Sequence, residues 1–452
     1  MRAQPLAAGQ NEVHLKRPFP KVSTDTRRMA AGQAFFALQG ARDGHEFLPE
    51  AVARGASVVV VAKVPDPTPD GVLILQVDDT LAALQRLAAA VRQSWPGRLV
   101  AVTGSMGKTT TRSFIAHFLR ARFTVHETAG NYNNHIGVPL TLLDLEPDHE
   151  VAVLELGMNH AGEIDRLASL AAPHEGVLTN VAPVHLAFFP SLEAIAEAKG
   201  ELIPHLPAEG TLFFNADDLY VSRLAQRYAG RRFGFGTGPE AQVRIRSWEI
   251  RGPDRTWIAL ETPAGEVSAE IPLVGAHFVT NVAAAAAVAV HHGIPLAELR
   301  EALPTVRPVG GRGVLEKLGA VWLWDDSYNS SPAALAQVLQ TVGRIPGTGR
   351  RVLVLGDMLE LGPQSVEFHR RAGAEAAEVA DLLIAVGSEA RYFLEGARNA
   401  GMANERLLHC VDCREAAKQV PNLLEPGDLA VVKGSRGVRL DEVVKAIKEA
   451  WA

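Results

Sequence analysis

The chain has 452 residues, enough for about three globular domains at ~150 residues each, and far more than a small stapled module needs. Hydrophobic residues make up 47% and charged residues 21%, which excludes a disordered, collagen-like or low-complexity scaffold. Lys and Arg number 45 against 51 Asp and Glu, for a net charge of -6, and no basic stripe offsets that deficit, so nucleic acid is not an expected partner. Two cysteines, Cys410 and Cys413, cannot build the disulfide framework of a small secreted protein and point to a reducing compartment, the cytoplasm. No signal-peptide core follows Met1 and no run approaches the ~20 apolar residues that span a bilayer, so no membrane insertion is expected.

In chain order, the apolar run Ala56 to Ala62 and a helix from Thr80 to Val91 belong to a first domain, residues 1–96, closed by Pro96-Gly97. Leu99–Thr103 then reads as a strand, followed by a Gly-containing turn and a helix over Thr110–Arg120. Strands at Val151–Leu154, Val177–Thr179 and Leu212–Phe214 alternate with helical patterns such as Ser191–Ile203, the signature of βα units and a largely parallel sheet. The Ala-rich run Val282 to Val290 reads as a buried helix packed closely on that sheet. This second domain covers residues 97–308. In the third, 309–452, Val321–Trp324, Val352–Leu355, Leu382–Val386 and Leu429–Val432 read as buried strands between helices such as Ser365–Val379 and Leu440–Ala450, a doubly wound, Rossmann-like layout.

Thr103-Gly104-Ser105-Met106-Gly107-Lys108-Thr109-Thr110 lies between a buried strand and a helix. Backbone N–H groups and a helix N-terminus converge there on one anion, as a nucleoside triphosphate requires. Lys108 would neutralise the outer phosphates and the Thr109 hydroxyl would ligate magnesium. Val102 stands where the usual loop has its first Gly, so the pattern is a tighter G-x-x-G-K-T. A switch GTPase would also need an Asn-Lys-x-Asp sequence, and there is none. The next apolar strand ends in Glu155, a carboxylate that can hold magnesium.

The amide-rich Asn131–Pro139 segment, with Asn134, suits a hydrogen-bonding loop, or simply an Asn-rich turn. Glu155-Leu156-Gly157-Met158-Asn159-His160 follows a strand, where open α/β sheets bind ligands. His185 is either a metal ligand or a satisfied loop histidine. By pattern alone Lys199 is a solvated helix lysine, and Cys410-Val411-Asp412-Cys413 has the spacing of a redox or metal half-site but, with no second pair to complete four ligands, reads as a structural coincidence.

Taken together, these residues resemble the ATP-dependent Mur ligases of bacterial cell-wall synthesis. The resemblance rests on Ser23–Arg27, Asp43-Gly44-His45, the phosphate loop, Asn131–Pro139, Glu155–Glu163, Ala198–Glu201, Gly275-Ala276-His277 with Asn281, Asp325–Asn329, Gly356–Gly362 and Lys433–Arg436. The last three look like the branch that adds a dipeptide, although Ser330-Ser331 stands where that branch often has Ala-Asn. The Asp-Asn-Pro-Arg motif of the branch adding diaminopimelate is absent.

The family implies a three-domain α/β protein: an N-terminal UDP-substrate domain, a central P-loop ATPase-type domain with a mainly parallel sheet, and a C-terminal Rossmann-like domain that takes the dipeptide and completes the ATP site. It implies catalytic roles for Lys108, Glu155, His185, Lys199 and Arg312. ATP would contact Gly104 to Thr110, Asn281 at the adenine, Asp326 at the ribose and Arg312 at the outer phosphate. Two magnesium ions are implied, one on Thr109 and one held by Glu155, His185 and a carbamylated Lys199. Thr26, Arg27 and His45 would hold the uridine nucleotide, with Asn134 and Asn329 also binding substrate. The implied substrates are UDP-N-acetylmuramoyl-tripeptide and D-alanyl-D-alanine, joined by a cytoplasmic monomer. Competing expectations are another Mur ligase, a folylpolyglutamate-type ligase, or a nucleotide-binding regulator without turnover.

Overall fold

The computed structural model describes residues 4–5, 20–184 and 186–452. Its strands form three sheets, and no helix among the described residues is long and apolar enough to cross a membrane. By contacts the chain divides into two compact units, one of Met1–Ala101, Thr124–Met158 and Glu163–His174, the other of Val102–Phe123, Asn159–Gly162 and Glu175–Ala452.

The first sheet comprises β1 (Gln4–Pro5), β2 (Val22–Ser23), β3 (Ala34–Phe36), β4 (Val58–Val61) and β5 (Leu73–Gln76), ordered β1-β5-β4-β3-β2. All its pairings are parallel except that of β1. Side chains alternate across it with period two. Phe35, Val59 and Val61 meet Met29, Leu48 and Ala51, whereas Phe36, Val58 and Val60 meet Leu84 of the helix Thr80–Ser94. Asp79 caps that helix through Ala82 N, 2.9 Å away. It runs three residues beyond the expected Val91, stopping only at Trp95-Pro96.

The second sheet has nine strands: β6 (Arg98–Thr103), β7 (Val125–Glu127), β8 (Val151–Glu155), β9 (Glu175–Leu178), β10 (Thr211–Asn215), β11 (Arg231–Gly236), β12 (Val243–Ile250), β13 (Thr256–Thr262) and β14 (Gly265–Ile271). Their order is β14-β13-β12-β11-β10-β9-β6-β8-β7. Pairing is parallel from β9 to β12, while β12 to β14 form an antiparallel meander that the sequence reading did not anticipate. The signal was the alternation in β13, where Thr256, Ile258, Leu260 and Thr262 are buried and the residues between them are not. The Ala-rich run does form a buried helix, Ala276–His291, packed against β10 to β13 and against the helix Lys108–Leu119. Small side chains let the backbones approach closely.

The third sheet comprises β15 (Val314–Leu318), β16 (Val321–Asp326), β17 (Arg351–Gly356), β18 (Leu382–Val386), β19 (Leu407–Cys410) and β20 (Leu429–Lys433), ordered β15-β16-β20-β17-β18-β19. It is parallel apart from the edge strand β15. One face, with Trp324, Leu353, Leu355 and Val431, packs on Leu335 and Leu339 of the helix Pro332–Val342 and on Ala376. The other, with Leu323, Val354 and Val432, packs on Val420 and on Val443 and Ile447 of the C-terminal helix Asp441–Trp451. Helices on both faces make it doubly wound, as expected.

A buried ionic clamp fastens the far end of the helix Ala276–His291. His292 Nε2 lies 2.8 Å and His291 Nε2 3.5 Å from the carboxylate of Glu175, which is 1% exposed. Burial alone would raise this carboxyl, but hydrogen bonds from both histidines hold it well below the usual 4.5. A depressed carboxyl contributes stability that is present above its unfolded pKa and lost as pH falls through the folded value. Glu175→Gln is therefore expected to flatten the loss of unfolding free energy below about pH 4.5 in urea titrations; an unchanged pH dependence would show that the clamp contributes nothing.

Candidate active site

The phosphate loop leaves β6 at Thr103 and enters the helix Lys108–Leu119 through Gly107, whose φ of 76° favours glycine. Gly104 needs glycine for space, because a Cβ there would collide with Thr179 Oγ1. The carboxyl end of β9 grips the loop. Thr179 Oγ1 and Asn180 Nδ2 donate to Met106 O at 2.7 and 3.1 Å, Met106 N donates to Asn180 Oδ1 at 2.8 Å, and Ser105 N donates to Asn180 O at 2.9 Å. Ser105 Oγ also accepts from Ala182 N at 2.9 Å. Thr179 and Asn180 were not singled out from sequence, although their place at a strand end was visible.

Lys108 Nζ folds back to donate to Gly104 O at 2.8 Å and Ser105 O at 3.1 Å, so its charge lies over the loop. Thr109 and Thr110 are buried in the first helical turn. Asn281, expected at an adenine, is placed beneath the loop. Its Oδ1 accepts from Thr111 Oγ1 at 3.3 Å and would lie 2.7 Å from a Cβ at residue 107.

The third sheet supplies more of this site, within the same compact unit. Ser331, which caps the helix Pro332–Val342, places its hydroxyl 3.8 Å from Met106 Sδ. Asp326, at the end of β16, accepts from Lys433 Nζ at 2.6 Å, and Lys433 also donates to Asn329 O at 2.9 Å. Burial pushes the Asp326 carboxyl up, against the pull of the Lys433 ammonium. The Arg312 guanidinium lies 3.9 Å from the centre of the Tyr328 ring. His277 is held neutral, its pKa lowered to about 4 by burial and then by the Lys433 charge.

Lys199 overturns the expectation drawn from its helical pattern. Far from being a solvated lysine, it is 2% exposed, and burial together with the Lys108 ammonium pushes it well below the usual lysine range. Both effects favour the neutral amine, the form that acts as a nucleophile toward carbon dioxide. His185 lies outside the described residues. Among the described residues no group of three or more His, Cys, Asp or Glu is placed to hold a metal.

In the other unit, Glu155 ends β8 at 1% exposure, its Oε1 accepting from Asn133 Nδ2 at 2.7 Å. Its own N–H donates to Thr128 Oγ1 at 3.0 Å. The amide-rich loop therefore orients the acid through Asn133, whereas the neighbouring Asn134 accepts from Ile136 N and Gly137 N at the start of the helix Gly137–Leu143. Thr26 is buried and donates to Glu50 at 2.9 Å. His45 accepts from Ala62 N at Nε2, which puts its proton on Nδ1, 2.6 Å from Asp43. Arg27 is exposed and forked onto Asp25 at 2.9 and 2.7 Å.

Residues 102–289 match the Mur ligase middle domain, 314–436 the Mur ligase glutamate ligase domain, and 19–92 the Mur ligase family catalytic domain. The UDP-N-acetylmuramoyl-tripeptide–D-alanyl-D-alanine ligase of Bacillus subtilis (strain 168) is 36% identical, over 95% of this chain and 93% of its own. The chain belongs to the Mur ligase family. A crystal structure of MurF from Acinetobacter baumannii superposes with a TM-score of 0.85 at 30% identity, covering 99% of this chain and 100% of that one. A MurF ligase of Thermotoga maritima in complex with ADP gives 0.82 at 27% identity, covering 96% and 98%.

In this Mur ligase, Gly107→Ala places a Cβ against Asn281 and forces a left-handed backbone costing ~1–2 kcal/mol. We expect ATP affinity to fall about tenfold by calorimetric titration; unchanged affinity would mean that the loop is not held in this shape for the nucleotide.

Proposed function

We propose that this chain joins D-alanyl-D-alanine to UDP-N-acetylmuramoyl-tripeptide at the expense of ATP, forming UDP-N-acetylmuramoyl-pentapeptide, ADP and phosphate. The observation that carries this reading is 36% identity across nearly the full length of a relative with that name. The phosphate loop and its contact with Ser331 support it. The protein would work as a cytoplasmic monomer on these small molecules.

The tripeptide carboxylate attacks the γ-phosphorus of ATP and ADP departs, leaving an acyl phosphate. The dipeptide amine then attacks the acyl carbon, phosphate leaves, and the nitrogen gives up its proton. Bringing one anion to another is the main electrostatic difficulty. Lys108 and the loop N–H groups offset it at the phosphates, and Arg312 supplies a second cation. Asn281, which lies beneath the loop, would face the adenine, and Asp326, paired with Lys433, would take the ribose. Thr26, Arg27 and His45 would hold the uridine nucleotide.

By donor chemistry alone, the buried Thr109 hydroxyl would suit one magnesium ion, and the Glu155 carboxylate, His185 and a carbamate on Lys199 would suit a second. The carbamate forms when the neutral Lys199 amine adds to carbon dioxide and releases a proton. When bound, magnesium neutralises charge on the transferring phosphoryl group. Asn133 keeps the Glu155 carboxylate aimed.

The test is phosphate release from MgATP with the UDP-tripeptide present, with and without D-alanyl-D-alanine. Release that needs both, with the pentapeptide seen by mass, is expected. Release with a free amino acid and a shorter precursor would move the chain to another branch of the family, and ATP binding without any turnover would make it a regulator.

A further inference from the structure

Loops at the carboxyl ends of β16, β20 and β17 come together, the place where open α/β sheets take ligands. Tyr328 follows β16, Arg436 follows β20, and Leu359 follows β17. These loops are stitched to one another. Leu359 N donates to Ser435 Oγ at 2.9 Å, Ser435 N to Asp357 O at 3.0 Å, and Ser435 Oγ to Ser330 O at 3.4 Å.

Three cations lie in the stretch from Lys433 to Arg439, and two of them have acidic partners. Lys433 pairs with Asp326 and Arg439 with Glu442. Arg436 is exposed and, among the described residues, has no carboxylate at ion-pair distance; its guanidinium lies instead 5.4 Å from the Tyr328 ring centre. Arg312 shares that ring at 3.9 Å. Two guanidiniums against one ring repel each other, and the ring offsets only part of that cost. The pair is thereby set up to receive two anionic groups. Beside Arg436, Gly437 leaves room for the half-exposed Leu359, whose Cδ1 would be 2.8 Å from a Cβ at residue 437.

We propose that Arg436 binds the terminal carboxylate of the acceptor dipeptide, with Leu359 against its methyl groups and Tyr328 holding both guanidiniums in place. This rests on the ligase reading above. With Arg312 at the outer phosphate, the acceptor must put its amine near the transferred phosphoryl group and its carboxylate some distance away. An extended dipeptide spans about 7 Å, so its carboxylate lies farther from the reacting amine than that of a single amino acid. A forked guanidinium matches a carboxylate with two parallel hydrogen bonds, which lysine cannot reproduce. The assignment therefore makes Arg436 a determinant of dipeptide specificity.

The experiment compares D-alanyl-D-alanine with its C-terminal amide in the wild-type protein, Arg436→Gln and Arg436→Lys, measuring KM for each of the three substrates. Wild type is expected to prefer the free dipeptide by about 10- to 100-fold. Arg436→Gln should lose that factor in dipeptide KM, treat acid and amide alike, and keep its KM values for ATP and UDP-tripeptide. Arg436→Lys should recover part of the preference. Retained discrimination in Arg436→Gln, or a defect that appears in the KM for ATP, overturns the assignment while leaving the ligase reading standing. Wild-type protein that makes no product from the dipeptide overturns both.

Discussion

Burying one ammonium group within the field of another disfavours its charge, and Lys199, buried near Lys108, is under that constraint here. Lys108 donates hydrogen bonds to the carbonyls of Gly104 and Ser105. Lys199, 2% exposed and within the field of Lys108, is pushed toward its neutral form. A bare buried ammonium costs several kcal/mol, and nothing is gained by keeping an unmodified lysine in such a place. Conversion to a carbamate reverses the sign of the side chain. An anion near Lys108 is favourable where a cation is not, and its oxygens suit a hard metal. That is the physical content of our proposal for Lys199.

The rest of the nucleotide site depends on fixed geometry. The loop's shape is imposed from β9 by Thr179 and Asn180, from beneath by Asn281, and from the third sheet by Ser331. Glycine at residues 104 and 107 is what allows such close approach. The Ala-rich helix that carries Asn281 lies tightly on its sheet, and the Glu175 clamp secures the other end. Preorganisation of this kind is how a phosphoryl-transfer site stabilises charge without rearranging during the reaction.

Much of this was legible in the sequence wherever the signal was local. The phosphate loop was visible because strand, glycines, lysine and helix are contiguous, and the third sheet because each strand is a short apolar run between helices. Lys199 was not legible. Its helix is rich in alanine, so periodicity did not reveal which side is covered, and only the fold shows the lysine facing inward. Asn133 and Asn134 are adjacent and chemically identical, and the choice between Glu155 and the local turn depends on backbone direction alone. The Glu175 clamp joins residues far apart in the chain, which no local pattern reports. The β12 to β14 meander was missed although β13 alternates plainly, because its buried positions are shared between threonines and aliphatic residues.

The most direct measurement is carbon-13 NMR of the protein equilibrated with labelled bicarbonate, alongside Lys199→Gln. A carbamate resonance that exchanges with dissolved carbon dioxide and disappears in Lys199→Gln is the result expected if burial and Lys108 keep this amine neutral and reactive. Identical spectra from the two proteins, with wild type fully active as a ligase, would contradict it and leave Lys199 with no part in holding the metal.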